Sequence, residues 1–144
     1  MPNEDTIQLL KECNAGTKMA VATIQGILTH VKSSELSDLL ENSMKAHEAI
    51  GNRSHEFLMK YQDKDKEPNP IAKAMSWLET NTKLLINEKD SKIAQLVMDG
   101  CNAGIQSVSR YVNQYVAARE EAKSLAEELV KVEQELMNAL RKFL

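Results

Sequence analysis

The tetrad Cys13-Asn14-Ala15-Gly16 returns unchanged as Cys101-Asn102-Ala103-Gly104, 88 positions later. A second match follows at a slightly shorter offset of 86, where Leu39-Leu40-Glu41 through Phe57-Leu58 aligns with Leu125-Ala126-Glu127 through Phe143-Leu144. Identical residues fall at Leu39, Glu41, Lys45, Asn52, Phe57 and Leu58. The two-residue change in offset places a deletion between the matches, where a turn between helices tolerates one. A chain that writes one helical hairpin twice has two apolar faces that bury each other, so the repeat predicts an all-α bundle.

The apolar periodicity agrees. From Asp5 to about Val31, Leu9, Cys13, Gly16, Ala20, Thr23 and Ile27 recur in steps of four and three, the spacing of one helical face. Ser33 and Ser34 offer hydroxyls to cap a second helix reaching Tyr61, with Leu36, Leu40, Ser43, His47, Ile50, Ser54, Phe57 and Tyr61 inward. So short a link makes the two helices antiparallel neighbours. Asp90 or Ser91 caps a third long helix carrying Ala94, Val97, Cys101, Gly104, Val108, Tyr111, Tyr115 and Ala118. A fourth, from about Glu121 to Phe143, places Leu125, Leu129, Val132, Leu136, Ala139 or Leu140, and Phe143 on its stripe.

Between the hairpins, Gln62 to Pro70 is charged and broken by Pro68 and Pro70, which no helix runs through. A short helix is expected from Pro70 to Asn87, with Ile71, Ala74, Met75, Leu78 and Leu85 inward and the single tryptophan, Trp77, on it. A helix of that size spans about 27 Å, and the flanking extended residues add about as much again, enough to travel the length of a bundle. One domain over 1–144 is expected, built as hairpin 5–61, crossover 62–89 and hairpin 90–144.

Gly (5) and Pro (3) are scarce and 42% of residues are hydrophobic, which fits packed helices rather than a disordered or β-rich chain. With a net charge of −3 the broad positive field that a phosphate backbone needs is missing, so no nucleic-acid partner is expected. The acidic, polar start Met1-Pro2-Asn3-Glu4-Asp5 does not read as a signal peptide, and no apolar run reaches the roughly 20 residues of a membrane span. Two cysteines without a secretory signal read as reduced thiols, and the expected location is the cytoplasm.

Two duplicated hairpins joined by a long crossover resemble the ferritin-like superfamily. More narrowly, the repeated Cys-x-x-Gly near the start of the first and third helices, with a tryptophan-bearing crossover helix, is similar to small uncharacterised bacterial ferritin-like four-helix-bundle families. The resemblance implies a di-metal site of inward glutamates and two Glu-x-x-His pairs, because two hard cations need several carboxylate oxygens with imidazoles. No Glu-x-x-His occurs here, and the first and third helices carry no acid between Glu12 and Val31 or between Asp99 and Glu120. Di-iron oxidase chemistry is therefore not expected, and no cofactor is.

His47 and Glu133 fall at equivalent positions of the repeat, near mid-helix. They read either as remnants of a metal site or as a hydrogen-bonded pair that fixes helix register, and the second is favoured because two ligands do not fill a coordination shell. Cys13 and Cys101 have Gly and Ala as neighbours, so they read as small residues permitting close helix approach rather than as a redox pair. Trp77, Met75, Tyr111 and Tyr115 are candidates for a ligand pocket, although such residues are more often core. His30 and His55 are expected at surfaces or helix ends.

The function expected is that of a non-enzymatic helical bundle that binds or scaffolds, with a homodimer through a helical face open. Its rivals are a di-iron or di-manganese type oxidase or storage protein using His47 and Glu133, and a small-molecule carrier with a pocket near Trp77.

Overall fold

The computed structural model describes residues 3–61, Ser76 and 89–144. Among these the chain is all-helical, with four long helices and no strand: α1 (Glu4–Leu28), α2 (Ser34–Lys60), α3 (Asp90–Gln114) and α4 (Glu120–Leu140), the last followed by a 3-10 turn (Arg141–Phe143). Apart from Ser76, which is helical, the expected crossover helix over 70–87, with Met75 and Trp77, lies outside the described residues.

Two helix starts show why the sequence breaks where it does. The Asn3 side chain accepts from the Thr6 amide at 2.9 Å, and Glu4 and Asp5 in the first turn of α1 complement its positive end. Ser33 caps α2, its hydroxyl accepting from the Leu36 amide at 3.3 Å. Asp90 behaves differently from the expectation. It is the first residue of α3 rather than its cap, and its carboxylate instead accepts from the amides of Lys32 (3.0 Å) and Ser33 (2.7 Å), tying the α1–α2 turn to the start of α3.

The opposite end is tied by another cluster. Asn3 Nδ2 donates to the Ala117 carbonyl (2.7 Å), the Ala117 amide to Asp5 (3.0 Å), and the Arg119 amide to Thr6 Oγ1 (2.9 Å). Tyr61 is at that same end, its hydroxyl donating to Glu121 at 2.9 Å. These ties fix the directions: α1 and α4 run one way, α2 and α3 the other. Tyr61 and Lys89 therefore stand at opposite ends of the bundle. Packing follows the hairpins, α1 on α2 and α3 on α4, with α2 against α4, α1 against α3, and α1 reaching α4 across the diagonal.

The core divides into two apolar layers. One, around Leu9, Leu10, Leu58 and Leu125, fills the end with the α3–α4 turn; the other, around Ile27, Leu36, Leu40, Ile93 and Leu140, fills the end with the α1–α2 turn. Cys13 belongs to the first and Cys101 to the second. One helix end and one inward position differ from expectation. α3 stops at Gln114, so Tyr115 and the buried Ala118 belong to the turn, and on α4 the inward position next to Val132 is taken by Glu133, leaving Val132 half-buried.

Asp90→Ala should lower stability by about 1–3 kcal/mol, because two backbone amides lose a charged acceptor at once. Urea denaturation checks this, with Asp90→Asn expected to retain part of the loss-protecting bond.

Candidate functional site

Between the two apolar layers lies a polar one. Its centre is His47 of α2, fully buried, facing Glu133 of α4, which is only 8% exposed. His47 Nδ1–H donates to the Ser43 carbonyl one turn earlier at 2.8 Å, which leaves Nε2 directed at Glu133 Oε1 in a short hydrogen-bonded contact. With Nδ1 committed as a donor, a second proton on Nε2 makes an imidazolium against a carboxylate. Burial alone pushes the His47 pKa down, but the hydrogen bond and charge of Glu133, with the Ser43 carbonyl, outweigh it and hold the group above its ordinary value.

Neighbouring residues make room for this pair. A Cβ on Gly104 of α3 would come within 3.3 Å of Glu133 Oε2, a tight contact, so a side chain there would require the carboxylate to shift by a few tenths of an ångström. On the other side, a Cβ on Gly51 would stand 2.7 Å from Thr17 Oγ1, so α1 and α2 need glycine to approach as they do. Asn14 crosses the same gap, its Nδ2 donating to Ser54 Oγ (3.2 Å) and toward the Gly51 carbonyl (3.4 Å), while its Oδ1 is buried without a hydrogen-bond partner.

The Cys101 thiol also donates to Glu133. Burial first, then the Glu133 charge and this bond, push its pKa far up. Cys13 is pushed up to about 12, by burial and then by the charge of Glu12. Both thiols are free and buried. Neither is an activated nucleophile.

A cavity of about 580 Å³ opens between α1 and α3, with His47 and Glu133 in its floor. Both copies of the repeated tetrad contribute to its wall, Ala15 and Gly16 from one and Cys101, Ala103 and Gly104 from the other. Cys13 is packed in the core and is not part of the wall. A Cβ on Gly16 would meet only Leu129 Cδ2, at 3.8 Å. The small residue at Gly16 leaves space, whereas Gly104 brings α3 close to Glu133.

The structure brings His47 and Glu133 together and places Tyr111 at the cavity wall, where its ring stacks on Tyr115 with centroids 6.3 Å apart. Tyr115 packs on the core beneath and is not part of the wall. Trp77 lies outside the described residues. His30 is half-buried in the α1–α2 turn and His55 is exposed. Among the described residues no group of three or more His, Cys, Asp or Glu is arranged to hold a metal ion. None of the described helices is long and apolar enough to cross a membrane. Sequence reasoning missed Asn14, Thr17 and Gly51. The available signal was their i, i+3, i+4 spacing on a second inward face of α1 and opposite it.

With the geometry set out, comparison with known proteins adds no relative: no family model matches the chain, nor does any curated protein or solved structure.

His47→Ala should cost about 3–5 kcal/mol by leaving a buried carboxylate without its partner, and replacing both residues by leucine should cost less. Equal losses in denaturant titrations would show that the two do not interact. The pH dependence has a definite sign. Because the folded His47 pKa is raised, its contribution is complete below about pH 6.5, the unfolded value, and is lost as pH rises through the higher folded value. Urea midpoints of wild type relative to the double-leucine variant, measured from pH 5.5 to 9, read this directly.

The thiols give a separate check. Cys13 and Cys101 sit in opposite core layers, so mild oxidation should form no intramolecular disulfide, and alkylation at pH 8 should be slow until denaturant is added. Mass spectrometry of the oxidised and alkylated chain measures both.

Proposed function

We propose that this chain is a non-enzymatic, ferritin-like bundle of two duplicated hairpins that binds a small apolar molecule between α1 and α3. The observation that carries the reading is the cavity of about 580 Å³, a size suited to a drug-sized or lipid-like ligand, with a mostly apolar wall and a few polar groups converging at its floor. Supporting the ferritin-like assignment are the repeat offsets and the direction pattern, in which α2 and α3 run parallel although consecutive in the described chain.

Binding rather than catalysis follows from the chemistry on the floor. Both ring nitrogens of His47 are engaged, the Cys101 thiol is held protonated, and among the described residues no group of three or more His, Cys, Asp or Glu is arranged to hold a metal ion. A histidine so committed orients and polarises; it does not shuttle protons to a substrate without first giving up its partner.

A plugged variant tests the reading. Gly16→Leu projects a side chain into the cavity from a position where the nearest neighbour is 3.8 Å away, so the helix should tolerate it. Binding of a neutral apolar probe, followed by calorimetry, should be lost while the circular dichroism spectrum is kept. Unchanged probe binding in the plugged variant would remove the cavity from consideration. Gly100 also belongs to the wall, and Gly100→Ala, where an added Cβ meets nothing within 4 Å, should raise stability by about 0.5–1 kcal/mol.

A further inference from the structure

The two hairpins meet along a seam of polar contacts. In order along α2, Glu35 pairs with Lys142, His47 with Glu133 and Arg53 with Glu128 at 2.6 Å, and the Tyr61 hydroxyl just past the helix donates to Glu121 at 2.9 Å. The partners step back along α4 and its 3-10 turn as the positions on α2 advance, so one antiparallel register satisfies all four. Asp90 adds its bonds to the Lys32 and Ser33 amides, and Asn3, Asp5 and Thr6 add theirs to the α3–α4 turn. Every one of these contacts joins the first hairpin to the second. A second copy of the chain offers the same groups in the same places.

The seam also decides which hairpins fit. Exposed pairs such as Arg53–Glu128 contribute little energy, so discrimination falls to the buried one. Two first hairpins joined through this seam would set His47 on His47, and two second hairpins Glu133 on Glu133, because the two positions are equivalent in the repeat. First with second is the pairing that leaves no like groups in the buried layer. Whether both hairpins belong to one chain is a separate matter. The connection over 62–88 leaves α2 at one end of the bundle and joins α3 at the other, and a stretch of that length reaches about 90 Å when extended, against a bundle of about 40 Å.

We propose that the chain exchanges hairpins with a second copy of itself, giving a dimer of two bundles, each built from the first hairpin of one copy and the second hairpin of the other. Both bundles keep a His47–Glu133 pair and the ties at their ends. Exchange requires a folded bundle to come apart, so monomer and dimer interconvert slowly once formed. The choice between them is made during folding, and the dimer gains as the chain concentration approaches the effective concentration of the tethered hairpins, on the order of 1 mM.

Two full-length variants, His47→Glu and Glu133→His, test this when they are denatured, mixed at about 0.5 mM and refolded together. Each alone carries like groups in its middle layer and should unfold at a lower urea concentration than wild type. Exchange between them builds one bundle with the native pair and one with the pair reversed. The mixture should therefore give a dimer holding one copy of each variant, seen in native mass spectrometry, with a urea midpoint above that of either component. Wild type refolded at the same concentration is the second measurement, and it does not depend on the variants folding. Its dimer, isolated and diluted, should persist and return to monomer only after passage through denaturant. A wild-type chain that stays monomeric throughout overturns the proposal. So does a dimer that falls apart at once on dilution, which marks a surface contact, or a variant mixture that refolds as separate monomers with the midpoints of its components.

Discussion

One buried hydrogen bond, His47 to Glu133, sets the terms for the middle of this bundle. Two ionisable groups taken out of water need each other, because either alone in that layer is costly by several kcal/mol. The pair therefore fixes the height of α2 against α4, and everything at that level adjusts around it. Ser43 orients the imidazole, Gly104 yields space to the carboxylate, and the Cys101 thiol turns toward it. The core is divided as a result: apolar packing resumes only above and below, as two separate layers. A continuous leucine core would tolerate slippage of one helix turn past another more readily than a core with one obligatory polar contact.

The repeated segments meet at this point too. His47 and Glu133 are separated by 86 positions, the same spacing that aligns the two hairpins in sequence, so equivalent positions face each other across the bundle. Hairpins packed antiparallel make such self-facing positions unavoidable near the midpoint. An identical residue there would set histidine on histidine or carboxylate on carboxylate, like charges in a buried layer. The two segments differ at this position, and the difference converts a repulsion into an ion pair.

Much of the fold was legible because helical periodicity is a local signal. Ser33 caps α2 as its hydroxyl suggests, and of the expected inward stripe Leu36, Leu40, Ser43, His47, Ile50 and Ser54 are buried while Phe57 and Tyr61, nearest the helix end, are half-buried. What escaped was set by the third dimension. Asp90 looked like the cap of its own helix, since local chemistry permits that, and only the arrival of the α1–α2 turn gives its carboxylate two better donors. Gly16, Ala20 and Thr23 were placed on the inward stripe and do face the space between α1 and α3, but spacing alone does not reveal whether small residues draw helices together or leave a gap. That outcome depends on what holds the helices apart, and here ties at both ends of α1 and α3 fix their separation independently of the residues between them.

The same end ties explain why two identical tetrads serve different purposes. In α1, Asn14 is buried because α1 packs on α2 along its whole length and lends its far side to α4, so its amide can reach Ser54 and Gly51. In α3, Asn102 is exposed, since α3 lies at the rim with α4 on one side and the cavity on the other. Cysteine and glycine keep their inward character in both copies, while asparagine does not. A position that must pack tolerates little change in size; a position whose surroundings differ between copies keeps its identity in sequence while its chemistry diverges. The cavity is the geometric remainder of that asymmetry: α1 leans toward α2 and α4, α3 leans toward α4, and the side chains left facing each other across the gap between them are too small to close it.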